Sequence, residues 1–184
     1  MGLLPIALRM DGKLAVVVGG GPVGARKAQG VLDAGGCVKI ISPDVVDSLG
    51  KLAAAGAIVW ERRGFEAGDL IGAYLVFAAT NMREINGSIA LRAKELGILC
   101  NVADAPNEGD FHSSAVVRQD GLVIGVNNLD RNPKRAVKVK AGIADFLDAD
   151  RGRTQILIFT MRIRAKQVGT HYFYFGHGFE NIDG

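Results

Sequence analysis

The sequence predicts an α/β protein, a Rossmann-like parallel sheet followed by a small hairpin-plus-helix dimerisation segment. Three observations carry that expectation. A β-branched apolar run, Leu14-Ala-Val-Val-Val18, ends in Gly19-Gly20-Gly21 and leads into a segment with Val23, Ala28, Val31 and Leu32 at roughly helical spacing. Strand and helix patterns then alternate as far as Pro106, the order expected of a parallel sheet covered by helices on both faces. Beyond Pro106 two short apolar runs flank Gln119-Asp120-Gly121, which is the signal of an antiparallel hairpin closed by an Asp-Gly turn.

Each element follows from local chemistry. Residues 14–18 are apolar without alternation, as in a strand buried on both faces. A helix is expected over 22–34, a strand over 37–41, a helix over 45–55, and strands over 58–61 and 74–79. The helix over 82–96 puts Ile85, Ile89, Ala93 and Leu96 on one face, and the next strand spans 98–102. Crossovers between parallel strands are right-handed. The hairpin pairs 115–118 with 122–126, and Asn132-Pro133 supplies an N-cap and a first-turn proline for a helix running to about residue 147.

The expected division is therefore a Rossmann-like domain over 1–106, a hairpin-plus-helix segment over 107–149, and a tail over 150–184. The middle segment is too small to have a core of its own, so a homodimer is expected to bury it. The tail matches no template. It holds His171 and His177, six apart without a third ligand at a recognisable spacing, so no metal site is expected there.

Composition narrows the classes. With 184 residues, 48% hydrophobic and 22% charged, the chain is globular and not disordered. No apolar run approaches the roughly 20 residues of a membrane span, and residues 1–10 lack a basic lead-in and a cleavage pattern. A cytoplasmic protein with no membrane partner is expected. Cys37 and Cys100 have neither metal nor redox spacing and are expected as buried thiols. The net charge of +3 comes from the tail, so no nucleic-acid partner is expected.

Gly19-x-Gly21-x-x-Gly24 lies between a strand and its helix, where each glycine has a task. The first permits the turn, the second lets backbone approach a pyrophosphate, and the third allows close helix–strand packing. The helix N-terminus then faces the phosphates. Asp44, 20 residues beyond Gly24, is placed to accept from a ribose hydroxyl, which favours NAD over NADP. The plainer alternative is a first-turn acid stabilising the next helix. Arg26 and Lys27 are expected as solvated helix residues.

Leu4-Pro5-Ile6, Val18-Gly-Gly-Gly-Pro-Val-Gly-Ala-Arg-Lys-Ala28, Val76-Phe-Ala-Ala-Thr80 and Cys100-Asn-Val-Ala-Asp-Ala-Pro106 together resemble the precorrin-2 dehydrogenase family. That family includes the N-terminal part of sirohaem synthases and stand-alone dehydrogenase/sirohydrochlorin ferrochelatases. The resemblance runs from about residue 3 to 147. It implies oxidation of precorrin-2 to sirohydrochlorin with NAD, on the way to sirohaem or cobalamin, and in some members insertion of ferrous iron. It places Pro22, Val23, Pro43 and Asp44 at dinucleotide-contact positions and Asp104 in the active site. Strand-end position agrees for Asp104, because open α/β sheets bind ligands beyond the carboxyl ends of their strands. A loop-capping role before Ala105-Pro106 is the alternative. Thr80 and Asn101 end two other strands and are candidates for the nicotinamide pocket, with turn and capping roles equally open. His112 is a candidate for proton transfer or for touching iron, with a surface histidine ahead of a strand as the plainer alternative.

The chain departs from the family pattern in Val126-Asn-Asn-Leu-Asp-Arg-Asn-Pro133, where members commonly carry a Ser/Thr-Gly-Gly-type loop, and in the tail. Arg131, Lys134, Arg135 and Lys138 cluster at the start of the second-segment helix. Like charges four residues apart repel, so the cluster is either a solvated face or a clamp for a substrate with many carboxylates. A regulatory nucleotide-binding sensor needs the same glycine turn but no catalytic acid, and is the competing reading. An ordinary small-substrate dehydrogenase lacks a visible substrate domain.

Overall fold

The computed structural model describes residues 2–127 and 133–150. The expected architecture holds. Five strands, β1 (Leu14–Val18), β2 (Cys37–Ile41), β3 (Val59–Glu61), β4 (Leu75–Ala78) and β5 (Leu99–Val102), form one parallel sheet in the order β3-β2-β1-β4-β5. Helices α1 (Pro22–Leu32), α2 (Asp47–Ala54) and α3 (Arg83–Leu96) make the crossovers. The antiparallel hairpin β6 (Ala115–Gln119) and β7 (Leu122–Val126) is followed by α4 (Pro133–Asp150).

The unbroken apolar character of β1 is explained by its two faces. Ala15 and Val17 pack with Ala28 and Val31 of α1 and Leu49 of α2. Val16 and Val18 pack with Ile89 and Ala93 of α3. Each fully buried aliphatic contributes roughly 1.5–3 kcal/mol, so the register that centres β1 between β2 and β4 is strongly specified. The strand order reverses between β1 and β4, and an open α/β sheet has its crevice at such a reversal.

Several boundaries differ from expectation for physical reasons. Helix α2 begins at Asp47, not at residue 45, because Val45 and Val46 continue the extended chain and the Val46 N–H donates to the Gly20 carbonyl at 2.9 Å. Helix α3 ends where Gly97 turns left-handed at φ +68°, the usual glycine stop. Asp120 and Gly121 both have positive φ, +50° and +79°, as a two-residue hairpin turn twisted like its strands requires. Cys100 is buried as expected, but Cys37 is exposed. It opens β2 ahead of the residues that the helices cover. Two single-turn 3-10 segments, Ala67–Leu70 and Pro106–Glu108, are too short to leave a period in the sequence.

The loop after β3 is fixed by one ion pair. Both Arg63 guanidinium nitrogens donate to buried Asp69, at 2.8 and 2.6 Å, and the Glu66 N–H adds a third bond at 2.9 Å. These hold the Asp69 carboxyl below its ordinary range, the Arg63 bonds acting most strongly. Among the described residues no helix is long and apolar enough to cross a membrane.

Candidate functional site

A cleft of about 680 Å³ opens at the carboxyl ends of β1, β2 and β4. Its walls are Val18 to Val23, Ile41 to Val46 and Ala79 to Met82, closed by Gly64, Phe65 and Ile85. Of the sequence candidates, Gly19, Gly21, Pro22, Val23, Pro43, Asp44 and Thr80 all line it.

The glycines divide their work. A Cβ on Gly19, whose φ is +115°, would lie 2.4 Å from the Ala79 carbonyl oxygen. One on Gly24 would lie 2.0 Å from the Gly19 carbonyl oxygen, and one on Gly20 would lie 2.1 Å from that of Asp44. These three have no room for a side chain. Gly21 differs, because a Cβ there meets nothing within 4 Å and would project into open space. The cradle is tied to the loop after β2 through Ser42, whose Oγ accepts from Gly20 N–H at 3.0 Å and donates to the Asp44 carbonyl at 2.7 Å. Trp60 Nε1 donates to the Ser42 carbonyl at 2.9 Å.

Helix α1 starts at this cradle with Gly21 as a cap that offers no side-chain bond. The first intrahelical bond is donated by Ala25 to Gly21. The Val23 and Gly24 N–H groups precede it, and helix geometry provides no intrahelical partner at those positions. Free amides, a helix N-terminus and a glycine face with open space in front fit the pyrophosphate of a dinucleotide.

Asp44 projects into solvent with Arg62 4.0 Å away, and Arg62 lies 5.2 Å from the centroid of Trp60. This cation beside the candidate ribose ligand leaves no local signature in the sequence, since it follows β3 and not β2.

Asp104 follows β5 and is not among the cleft walls. It is connected to them through Asn86, a fully buried residue of α3. The Asn86 Nδ2 amide donates to Asp104 Oδ1 at 2.9 Å and to the Thr80 carbonyl at 3.1 Å. Asn86 Oδ1 accepts from Thr80 N–H at 3.1 Å and from Thr80 Oγ1 at 2.8 Å. Arg83 adds an ion pair to Asp104 at 3.9 Å and a second to Glu108. One amide thus joins the cleft wall to the carboxylate. Sequence reading missed Asn86, although a polar residue in step with Ile89 and Ala93 on the buried face of α3 was the available sign.

The remaining candidates lie elsewhere. Asn101 is buried and donates from Nδ2 to the Phe111 carbonyl at 2.8 Å, which anchors the chain returning from β5. His112 lines neither described cleft. Lys134, Arg135 and Lys138 are exposed on α4, outside both clefts, and Arg131 falls outside the described residues, as do Asn132 and the tail over 151–184. Burial, with Asp110 adding, pushes the Cys100 thiol up to about 12, so it is no nucleophile. Lys27, expected as a solvated residue, is half-buried and bonded to Ser113. Among the described residues no three His, Cys, Asp or Glu side chains converge as a metal site would need.

A family model for NAD(P)-binding domains, NAD_binding_7, matches residues 6–115. The chain belongs to this NAD(P)-binding family. Its relatives include Siroheme synthase 1 of Aeromonas salmonicida, 33% identical over 90% of this chain and 36% of the relative. The Siroheme synthase of Pseudomonas putida strain F1 is 33% identical over 91% of this chain and 36% of its own length. The chain thus spans about a third of these curated relatives. A solved structure titled "SirC, precorrin-2 dehydrogenase" superposes with a TM-score of 0.65 at 22% identity, covering 78% of this chain and 71% of that one. The fold of this NAD(P)-binding protein is the fold of that structure, and the family resemblance read from its motifs is borne out.

The contrast between the second and third glycines of the motif is testable. Gly24→Ala is expected to destabilise by about 3 kcal/mol or more, the upper end for overpacking, because the two nearest neighbours of the new methyl are backbone atoms of Gly19. Gly21→Val should leave the urea unfolding midpoint nearly unchanged and abolish NAD binding in calorimetry. Undiminished NAD affinity in the Gly21 variant would show that the dinucleotide does not cross this cradle.

Proposed function

We propose that this protein is an NAD-dependent dehydrogenase that oxidises precorrin-2 to sirohydrochlorin. The observation that carries the proposal is the Asp104–Asn86–Thr80 connection, which sets a fixed carboxylate beside the nucleotide cleft. Similarity to sirohaem synthases over nine-tenths of the chain supports the choice of substrate.

The residues present divide the chemistry as follows. Val23 and Gly24 amides at the start of α1 hold the pyrophosphate, Gly21 leaves it room, and Thr80 with Phe65 forms the wall toward the far half of the cleft. NAD, when bound, supplies the acceptor for a hydride from the macrocycle. Asp104 takes the proton that must leave with it, so two hydrogens are lost in all. Asn86 donates to the carboxylate at 2.9 Å and Arg83 lies 3.9 Å from it, and together they fix its orientation. Where iron insertion also occurs, the same carboxylate is placed to take protons from pyrrole nitrogens. Asp44 accepts from the ribose and repels a 2′-phosphate, giving a preference for NAD.

The second segment is proposed as the dimer contact. Leu122, Val123, Val137 and Phe146 are exposed on β7 and α4, and of residues 115–150 Val117 alone is buried among those described. Sedimentation should give a dimer, with Val123→Asp shifting it toward monomer. A monomeric wild-type chain at micromolar concentration would reject this contact.

Asp104→Asn keeps the shape and the Asn86 contact but removes the base. NAD binding should survive while precorrin-2 oxidation, followed as NADH absorbance, falls roughly 10²- to 10⁴-fold. A rate near that of the wild type would remove Asp104 from the chemistry. No turnover in the wild type, with NAD-dependent changes of oligomeric state, would favour the sensor reading instead.

Cofactor preference has its own variant. Asp44→Ala should lose the NAD preference and gain affinity for NADP, because Arg62 is left beside the ribose without its carboxylate. If the ratio of kcat/KM for the two cofactors does not move, Asp44 does not read the ribose.

A further inference from the structure

A second cleft, of about 230 Å³, lies between α1 and the start of β6. Phe77 contributes to its apolar floor, and its rim carries Arg26, Lys27 and Arg118 with Ser113 and Ser114. No carboxylate lines it. Among the described residues none of these three cations forms an ion pair. Lys27 Nζ donates to Ser113 Oγ at 2.8 Å and sits 5.6 Å from the Phe77 ring centroid. Burial pushes the Lys27 ammonium down to about 8, with Arg26 adding to the effect. Half-buried positive charge without a counter-charge is costly, and an anion supplied from outside would relieve it.

We propose that this cleft is a binding site for an oxyanion, a carboxylate or phosphate group. Lys27, Arg26 and Arg118 supply the charge. Ser113, whose oxygen already accepts from Lys27, has its O–H free to donate. The apolar floor suits a short methylene stem, and the volume lies below the 300–1,000 Å³ of sites that enclose a whole drug-sized ligand. The site therefore takes the tip of an acid side arm or a small free anion. It is distinct from the dinucleotide cleft, because the two share no lining residue. The choice of a substrate arm as the source rests on the proposed precorrin-2 reaction, while the oxyanion chemistry does not.

The test uses the full chain with its lysines ¹³C-dimethylated and the Lys27 signal assigned by its loss in Lys27→Arg. Inorganic phosphate and succinate are titrated at constant ionic strength, to about 50 mM, well past the ~1 mM range that a few charge-assisted hydrogen bonds provide. The expected result is a saturable shift of the Lys27 signal, with its titration midpoint moving upward from about 8 and the response lost in Arg118→Met. No saturable response to either probe overturns the proposal. So does a Lys27 signal that follows protein concentration instead of added anion, since a second copy would then fill the cleft.

The source is read separately. A KM for precorrin-2 raised roughly ten- to a hundred-fold in Lys27→Met, with NAD affinity unchanged and Lys27→Arg restoring it, identifies a substrate arm. An unchanged KM beside a saturable phosphate response identifies a free anion. If the wild-type chain turns over no precorrin-2, the anion titration still decides the site, so the two failures are distinguishable.

Discussion

The structure rests on the distance between α1 and β1. The helix approaches the strand end so closely that the α-carbon of Gly24 lies against the Gly19 carbonyl, with no volume for a methyl group. That approach brings the first free amides of α1 to the mouth of the sheet. It also sets the position of Gly20, which must in turn pass under the Asp44 carbonyl and be bonded by Ser42. The cleft is therefore a product of backbone packing, and its side chains mostly stabilise a shape that the glycines create. This explains why seven candidates from three separate strand ends meet in one place.

What the sequence made legible was whatever depends on period or on backbone constraint. The unbroken run of β1, the three-glycine spacing and the Asp-Gly hairpin turn each leave a local signature with one physical meaning. Partnerships between distant residues leave none. Asn86 is followed by Gly87, a pair that in isolation favours a turn, yet it lies within α3 and spends its whole amide on Thr80 and Asp104. Nothing near Arg62 announces that β3 delivers it to Asp44, and nothing near Lys27 announces that Ser113, 86 residues on, receives its ammonium. Cys37 differs for the opposite reason, because an apolar neighbourhood in sequence does not bury a strand's first residue.

The two clefts show how one helix serves two surfaces. The start of α1, through Pro22 and Val23, lines the first cleft, and one turn later Arg26 and Lys27 face the segment that carries the chain into β6. The chain between β5 and β6 is pinned to the sheet by Asn101 and by Asp110, which accepts from Cys100 N–H at 2.9 Å. Phe111 then packs edge-on to Phe77, with centroids 5.5 Å apart. The candidate carboxylate, the returning chain and the second cleft thus share a single short tether to β5.

The Asn86-Gly87 pair has a bearing on the durability of the protein. In an open chain such a pair loses its side-chain nitrogen readily, because the glycine backbone nitrogen can curl back onto the asparagine carbonyl carbon. In α3 that nitrogen is held in the helical ladder, and the side-chain amide is immobilised on both of its ends. Hydrolysis there would put a new acid 2.9 Å from Asp104 and set two negative charges against each other. The helix that places the amide also shields it from chemical ageing, so the working life of the site is tied to the persistence of that one turn of α3.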